Sequence, residues 1–398
     1  MLSYIAKLYV FKYMKWINFL HFYQPANIEA KIIEEAAQKS YFRLLRLFEE
    51  NKNLRLTINI SGCLLERMEE LGMADFSSRL IPLLKSGRIE IVGTAAYHAF
   101  LPLLPEKEII FQIKEQEKIL QKHFGISRPK GFFLPEMAYS KEAAVIIKKL
   151  GYEYLILDSI SYSPKNNNDL EALKVYRDQD SGLKIIFRNR AWSTKYAPDY
   201  LQRSLATGRA GTIITASDAE LYGLRHEDPS AELEKVSQDK RLITNNLNDL
   251  ISSTSEIEDI ILRPSSWESS ERELSSKNPY ALWSAKKNQL HKILWELAEL
   301  SIQVVDSNLK DPGYFWARWH LSRGLASCSW WWASGHDFSR HFGPLAWSPD
   351  ELERGVNDLL RAVRSIENKK TRLSKIKAEK LVSRLRFLVW TKHWKKYF

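Results

Sequence analysis

The sequence predicts an α/β fold, either a barrel of parallel strands or a doubly wound sheet, followed by a helical region. Three observations carry that prediction. Seven short apolar, β-branched runs recur up to residue 216, helix-like segments separate most of them, and beyond residue 283 the pattern is helical alone. Runs without strict polar alternation suit strands buried on both faces of a parallel sheet. Alternation of strand and helix is the mark of an α/β architecture.

The opening MLSYIAKLYVFKYMKW is interrupted by Lys7, Lys12 and Lys15. Its apolar runs are too short for a signal peptide and no small-residue cleavage site follows, so residues 1–14 read as an N-terminal extension. The expected strands are 16–22, 54–60, 88–94, 131–135, 154–158, 184–188 and 211–216. Amphipathic helices are expected at 30–51, 64–85, 106–124 and 141–150. Residues 158–183 read as a long rim loop, most turn-like at 164–168. The strands and their helices form an expected catalytic barrel over 15–263. The polar stretch 264–284 is a linker and possible active-site loop, and 285–398 is a helical bundle with a basic last helix. Its helices are expected at 283–308, 312–326, 349–368 and 373–390. Asp350 and Glu351 after Pro349 make a sound helix start.

With 398 residues and 44% apolar content, the chain can bury a barrel-sized core and a smaller second unit. Two cysteines, Cys63 and Cys328, make no disulfide framework and suggest a cytoplasmic setting. No stretch approaches the roughly 20 apolar residues of a membrane helix. Residues 364–398 hold twelve Lys or Arg against Glu367 and Glu379, which accounts for nearly all of the net charge of +11. Such a tail can bind nucleic acid. Its apolar positions Leu373, Ile376, Leu381, Leu385 and Leu388 instead suit packing on the bundle, so no nucleic-acid or membrane partner is expected. The stretch HFYQPAN after the first strand lacks the glycines of a nucleotide fold. His320, His336 and His341 stand in no zinc-binding spacing, so neither metal nor cofactor is expected.

The strands end in polar residues: His21 and Gln24, Asn59, His98, Glu136, Asp158, Arg188 and Arg190, and Asp218 with Glu220. In a parallel barrel those ends converge on one mouth, where active sites lie. Glu136 closes GFFLPE and Asp218 closes TIITASD, both after apolar runs. A carboxylate so placed is costly unless paired, hydrogen-bonded or used. Two at one mouth supply the pair that glycoside cleavage needs. Alternatively, each is salt-bridged to Arg188, Arg190 or Arg263.

These residues resemble glycoside hydrolase family 57, over roughly residues 15–360. His21-Phe-Tyr-Gln24-Pro25 is similar to its first conserved region, Gly62-Cys-Leu-Leu-Glu66 to the second, Phe133-Leu-Pro-Glu136 to the third, and Asp218-Ala-Glu220-Leu-Tyr-Gly223 to the fourth. The fifth is supplied by Ser265-Ser-Trp267-Glu268 or by Cys328-Ser-Trp330-Trp331-Trp332. The resemblance implies an incomplete seven-stranded barrel with Glu136 as nucleophile and Asp218 as general acid/base. It implies a retaining reaction on α-glucans or maltooligosaccharides, by an amylase, a glucanotransferase or a branching enzyme. Carboxyl groups about 5–5.5 Å apart and a raised pKa at Asp218 would follow. His21, Gln24, Glu66, His98, Asp158, Arg188, Glu220, Trp267 and Trp330 are the candidate substrate-binding residues. Glu66 instead orients His21 or caps the helix after Gly62, and Asp158 with Arg188 also reads as an ion pair.

Two departures bear on the substrate. Tyr23 replaces a usual His, and Leu224-Arg225-His226 stands where many members have paired histidines. The competing reading is a glycan-binding protein that has lost turnover on the same barrel. Of thirteen tryptophans, Trp192, Trp267 and Trp330–Trp332 are candidate sugar platforms, whereas Trp283, Trp295, Trp316 and Trp319 are expected in the helical core. The polysaccharide deacetylases share a similar barrel but need a metal held by one Asp and two His, a set this sequence lacks.

Overall fold

The computed structural model describes residues 13–162, 174–335 and 346–397. The expected extension up to residue 12, the turn-like stretch 164–168, His336 and His341 lie outside the described residues. Ten strands are described: β1 Met14–Phe22, β2 Leu56–Ile60, β3 Ile89–Val92, β4 Gly131–Phe132, β5 Tyr154–Asp158, β6 Tyr176–Asp178, β7 Lys184–Arg188, β8 Gly211–Asp218, β9 Leu242–Asn245 and β10 Glu258–Ile260. They form two five-stranded sheets, one ordered β3-β2-β1-β8 with β9 pairing β1, the other β10-β6-β7-β5-β4. All pairs are parallel except β6 with β7.

The seven expected runs are all strands. The sheets meet at two seams held by single contacts rather than ladders. At one, Gly93 bridges Phe132, with Phe133 N donating to Gly93 O at 2.8 Å. Within the second sheet β4 and β5 come close enough that a Cβ on Gly131 would sit 2.2 Å from the Tyr154 ring. At the other, Asn189 N donates to Ile214 O at 2.8 Å and Arg188 Nη1 to Ala216 O at 2.8 Å.

Three expectations change in detail. The segment 30–51 is helical but interrupted by a π-helical turn, Ala37–Tyr41. The segment 64–85 is two helices, Gly62–Glu70 and Asp75–Lys85, broken at Gly72, whose φ is +77°. The rim segment 158–183 contains β6, which sequence reading missed together with β9 and β10.

The later helices include Gln289–Asp306, Tyr314–Gly324, Pro349–Ser365 and Arg372–Tyr397. They share one apolar core with the second sheet, from Phe132, Leu155 and Ile185 to Leu297, Leu321 and Leu359. The last helix packs through Ala378, Leu381, Val382, Leu385 and Val389, a helical stripe. Leu373 and Ile376, expected on that stripe, are instead 78% and 43% exposed. Its cations are partly answered by neighbouring helices, Lys377 by Glu296 and Arg386 by Glu353, while its Glu379 pairs Arg364 of the preceding helix. Trp283 is buried against Phe100, whereas Trp316, expected in the core, is 56% exposed. No helix among the described residues is long and apolar enough to cross a membrane.

One buried ion pair fastens the helix Glu106–Phe124 to Tyr314–Gly324: both Glu108 oxygens accept from Arg318 at 2.7 Å. Removing one partner strands the other charge out of water. Glu108→Ala is therefore expected to lose about 3–5 kcal/mol of stability, read as a lower urea midpoint at unchanged slope. A loss below about 1 kcal/mol contradicts the assignment.

Candidate active site

Strand register assembles the site. β1 lies between β2 and β8, and His21 is aligned with Asn59 on one side and Asp218 on the other. Parallel strands place these residues at one end of the sheet. Glu136 follows β4 in a tight turn with φ 62°, and His98 follows β3 with φ 55°. Left-handed backbone at such residues costs on the order of 1–3 kcal/mol, so packing must hold it. The segment 264–269 does this for Glu136: Trp267 N donates to Glu136 O at 3.0 Å, and Tyr139 and Ser265 bridge antiparallel.

The Glu136 carboxyl is buried, and both of its oxygens are engaged. Ser327 Oγ lies 2.7 Å from Oε1, and Trp267 Nε1 donates to Oε2 at 2.9 Å. Of the two stretches considered for the fifth region, 265–268 reaches this carboxyl through Trp267, while the bond from Ser327 comes from the residue just before the other, 328–332. From Ser327 the bonding continues to His98 Nδ1 at 2.9 Å, from His98 Nε2 to His21 Nε2 at 3.0 Å, and from His21 Nδ1 to Asn59 Oδ1 at 2.8 Å. Tyr23 stacks on His98 with ring centroids 3.9 Å apart, and its hydroxyl meets Cys328 Sγ at 3.4 Å. The phenol at the departed position thus shields the imidazoles.

Burial sets the protonation of this cluster. It pushes the Glu136 carboxyl up to about 8, the Ser327 bond opposing and the Asp218 charge adding to the rise. It lowers His21 to about 4, against the pull of Asp218, and His98 well below the usual imidazole range. A neutral His98 makes no ion pair with Glu136, although Nδ1 lies 3.7 Å from Oε1.

Asp218 is half-buried, and its partner is Arg225, 2.6 Å away, rather than Arg188, Arg190 or Arg263. Glu220 is buried and accepts from Gln24 Nε2 at 3.0 Å and from the Tyr41 hydroxyl. Burial raises its pKa while Arg225 opposes. Asp158 is 0% exposed, and its oxygens accept from Arg188 Nε at 2.7 Å, Arg190 Nη1 at 3.4 Å and Ile160 N at 3.0 Å. Fully buried and paired with Arg188, Asp158 is out of a sugar hydroxyl's reach, which favours the ion-pair reading. Arg188 also lies over the half-buried Trp267 ring, 5.1 Å from its centroid.

Of the candidate residues, the structure brings together His21, His98, Glu136 and Trp267, with Asp218, Gln24 and Glu220 alongside. The ring nitrogens of His21 and His98 are spent inside the protein, so these residues support the site rather than offer themselves to a ligand. Glu66 neither orients His21 nor caps its helix. It accepts from Tyr97 at 3.0 Å and lines a separate cavity of about 190 Å³ with Arg323 and Trp319. Trp330 is fully buried and stacked on Trp295, centroids 4.3 Å apart, which excludes it as a sugar platform. Sequence reading missed Ser327, Arg225 and Tyr41 as functional partners. Only the position of Arg225 just after the fourth region gave a signal. Among the described residues no group of three His, Cys, Asp or Glu side chains could hold a metal.

A model of glycosyl hydrolase family 57 matches residues 7–247. An α-amylase from Pyrococcus abyssi is 29% identical over 226 residues, 53% of this chain and 34% of the relative. A 4-α-glucanotransferase from Thermococcus litoralis is 29% identical over 223 residues, 53% of this chain and 33% of the relative. The matched region thus spans about a third of the length of these curated relatives. The crystal structure of a branching enzyme from Thermococcus kodakaraensis superposes with a TM-score of 0.68 at 15% identity, covering 94% of each chain. At that identity the likeness speaks for the fold.

The burial of Glu136 has a consequence for stability. Between the unfolded value of 4.5 and the folded value of about 8, the native state holds a proton that the unfolded state has lost. Stability therefore falls as pH rises through that window. Glu136→Gln keeps both hydrogen bonds without the charge. It is expected to melt above wild type at pH 9, with the gap closing near pH 4.5, in calorimetric scans. A gap of constant size across pH would contradict the buried-acid assignment.

Proposed function

The chain belongs to glycosyl hydrolase family 57, and from that premise we propose that it hydrolyses or transfers α-linked glucose units by a retaining route. In this reading Glu136 attacks the anomeric carbon and Asp218 protonates the departing oxygen. A glycosyl ester on Glu136 results, and Asp218 as carboxylate then activates water or an acceptor sugar. Maltooligosaccharides and longer α-1,4 or α-1,6 glucans are the proposed substrates, as the names of the relatives suggest.

The observation that carries the proposal is electrostatic and positional at once. Asp218 closes β8 beside His21, and its charge is felt at the buried Glu136 carboxyl. Two carboxyl groups that sense each other, one after β4 of the second sheet and one closing β8 of the first, are what acid–nucleophile cooperation requires. Trp267 supports the reading twice, since it holds Glu136 Oε2 and keeps part of its indole open to a sugar face. Arg225 holds the Asp218 carboxyl in place through Nη1. Whether water or sugar completes the turnover follows from acceptor access, and hydrolysis, transfer and branching all remain within the proposal.

Product analysis on a maltooligosaccharide series tests it. Wild type is expected to release or transfer glucose units with retained anomeric configuration. Glu136→Gln and Asp218→Asn are each expected to lose on the order of 10²–10⁴-fold in kcat/KM. Inverted product, or full activity in either variant, would overturn the assignment.

A further inference from the structure

The last helix, Arg372–Tyr397, has two faces of different character. Its inner stripe, from Ala378 to Val389, is buried on the bundle. Its outer face presents Leu373, Ile376, Lys380, Arg384, Phe387 and Trp394. Each step in this row is three or four residues, counting Thr391 between the last two, which keeps the row on one side of the helix. Leu373 and Ile376, expected against the bundle, point outward, while Phe387 is 71% and Trp394 52% exposed. At 1.5 Å per residue the row runs for about 30 Å. A lone exposed apolar side chain needs no explanation, but several in one row on one helix do.

The charge on this face has one sign. The helix contains nine Lys or Arg and one acidic residue, Glu379, which is taken by Arg364 of the preceding helix. Lys377 and Arg386 on the flanks reach Glu296 and Glu353. Among the described residues no carboxylate pairs with Lys380 or Arg384, and both are exposed. The row therefore carries cations at its middle and apolar groups toward both ends. A neighbouring loop widens the surface. Asp311 accepts from Glu367 N and Asn368 N at 2.9 Å, just before the helix begins, and Leu309 in that loop is 62% exposed.

We propose that this outer face docks on an anionic lipid surface, with the helix lying flat in the headgroup plane. Lys380 and Arg384 meet lipid phosphates there, while Leu373, Ile376 and Phe387 enter the acyl boundary. Other occupants satisfy only half of the pattern. A second copy of the chain brings like charge against like charge. A neutral glucan offers no counter-charge to the cations. Nucleic acid answers the cations, but aliphatic Leu373 and Ile376 give its bases no ring to stack on. Hydrocarbon beneath a negative headgroup layer answers both. The buried stripe pins the helix in advance, so docking carries no cost of folding it. No described helix is long and apolar enough to cross a membrane, so the contact proposed is one of surface only.

Flotation of the full chain with lipid vesicles tests the docking. The readout needs no turnover, so it stands apart from the reaction proposed above. Capture is expected by phosphatidylcholine vesicles that contain phosphatidylglycerol, not by phosphatidylcholine alone, and it should weaken as salt rises. Lys380→Glu combined with Arg384→Glu is expected to lower partitioning on the order of 10- to 100-fold. Leu373→Ser combined with Phe387→Ser keeps the charge and is expected to lower it about 10-fold. All four side chains are exposed, and a melting temperature matched to wild type separates lost docking from lost fold. No capture by the anionic vesicles, or capture that survives either pair of changes, would overturn the proposal. Capture of single-stranded DNA in place of the vesicles would assign the face to nucleic acid and overturn it equally.

Discussion

The register of β1 is the constraint on which the rest of the structure depends. Its nine residues pair in parallel with β2 and β8, and its first four also with β9. That fixed pairing sets His21 between Asn59 and Asp218 at the open end of the sheet. Side chains alternate faces along a strand, so a slip of one residue would turn His21 away and bring Phe22 or Leu20 into its place. The hydrogen-bond chain, the setting of Asp218 and the shield of Tyr23 all follow from that alignment.

Burial is the second theme. Glu136 lies in a dry cluster with two imidazoles, an indole and a serine, and none of these contributes a positive charge. Burial without a counter-ion favours the acid form of the carboxyl, and the donors Ser327 and Trp267 oppose this only in part. Asp218 is the contrasting case, more open and paired with Arg225. The two carboxyl groups are thus set in opposite environments, the condition under which one fold can use the same functional group in two roles.

Much of this was legible in the sequence because long apolar runs have few alternatives. The seven predicted strands are all present, and the polar ends Asn59, His21, His98 and Glu136 lie in sequence against one another. β6, β9 and β10 were not legible, since three or four residues with exposed polar positions leave no period to read. The importance of Glu136 and Asp218 could be read from their place after buried strands. The contacts of the surrounding residues could not, because sequence does not say which nitrogen of His21 or His98 is already spent, or that Asp158 is sealed beside Arg188. Ser327 is a common residue in a helical stretch, and only three-dimensional proximity to Glu136 distinguishes it. The tryptophans show the same limit: Trp267 and Trp330 look alike in sequence, yet one bonds Glu136 and the other is sealed in the core. Leu373 and Ile376 fit a helical stripe by spacing, but the last helix turns a different face to its neighbours.

The most direct measurement is to trap the covalent intermediate. Incubating the full chain with a fluorinated α-glucosyl fluoride, digesting it and mapping the modified peptide by mass spectrometry identifies the attacked residue. The glucosyl label is predicted on Glu136, within the segment Phe133-Leu-Pro-Glu136. A label on Asp218, Glu220 or Glu268 instead would contradict the account, because the buried carboxyl and its hydrogen-bond chain would then serve no part of the reaction.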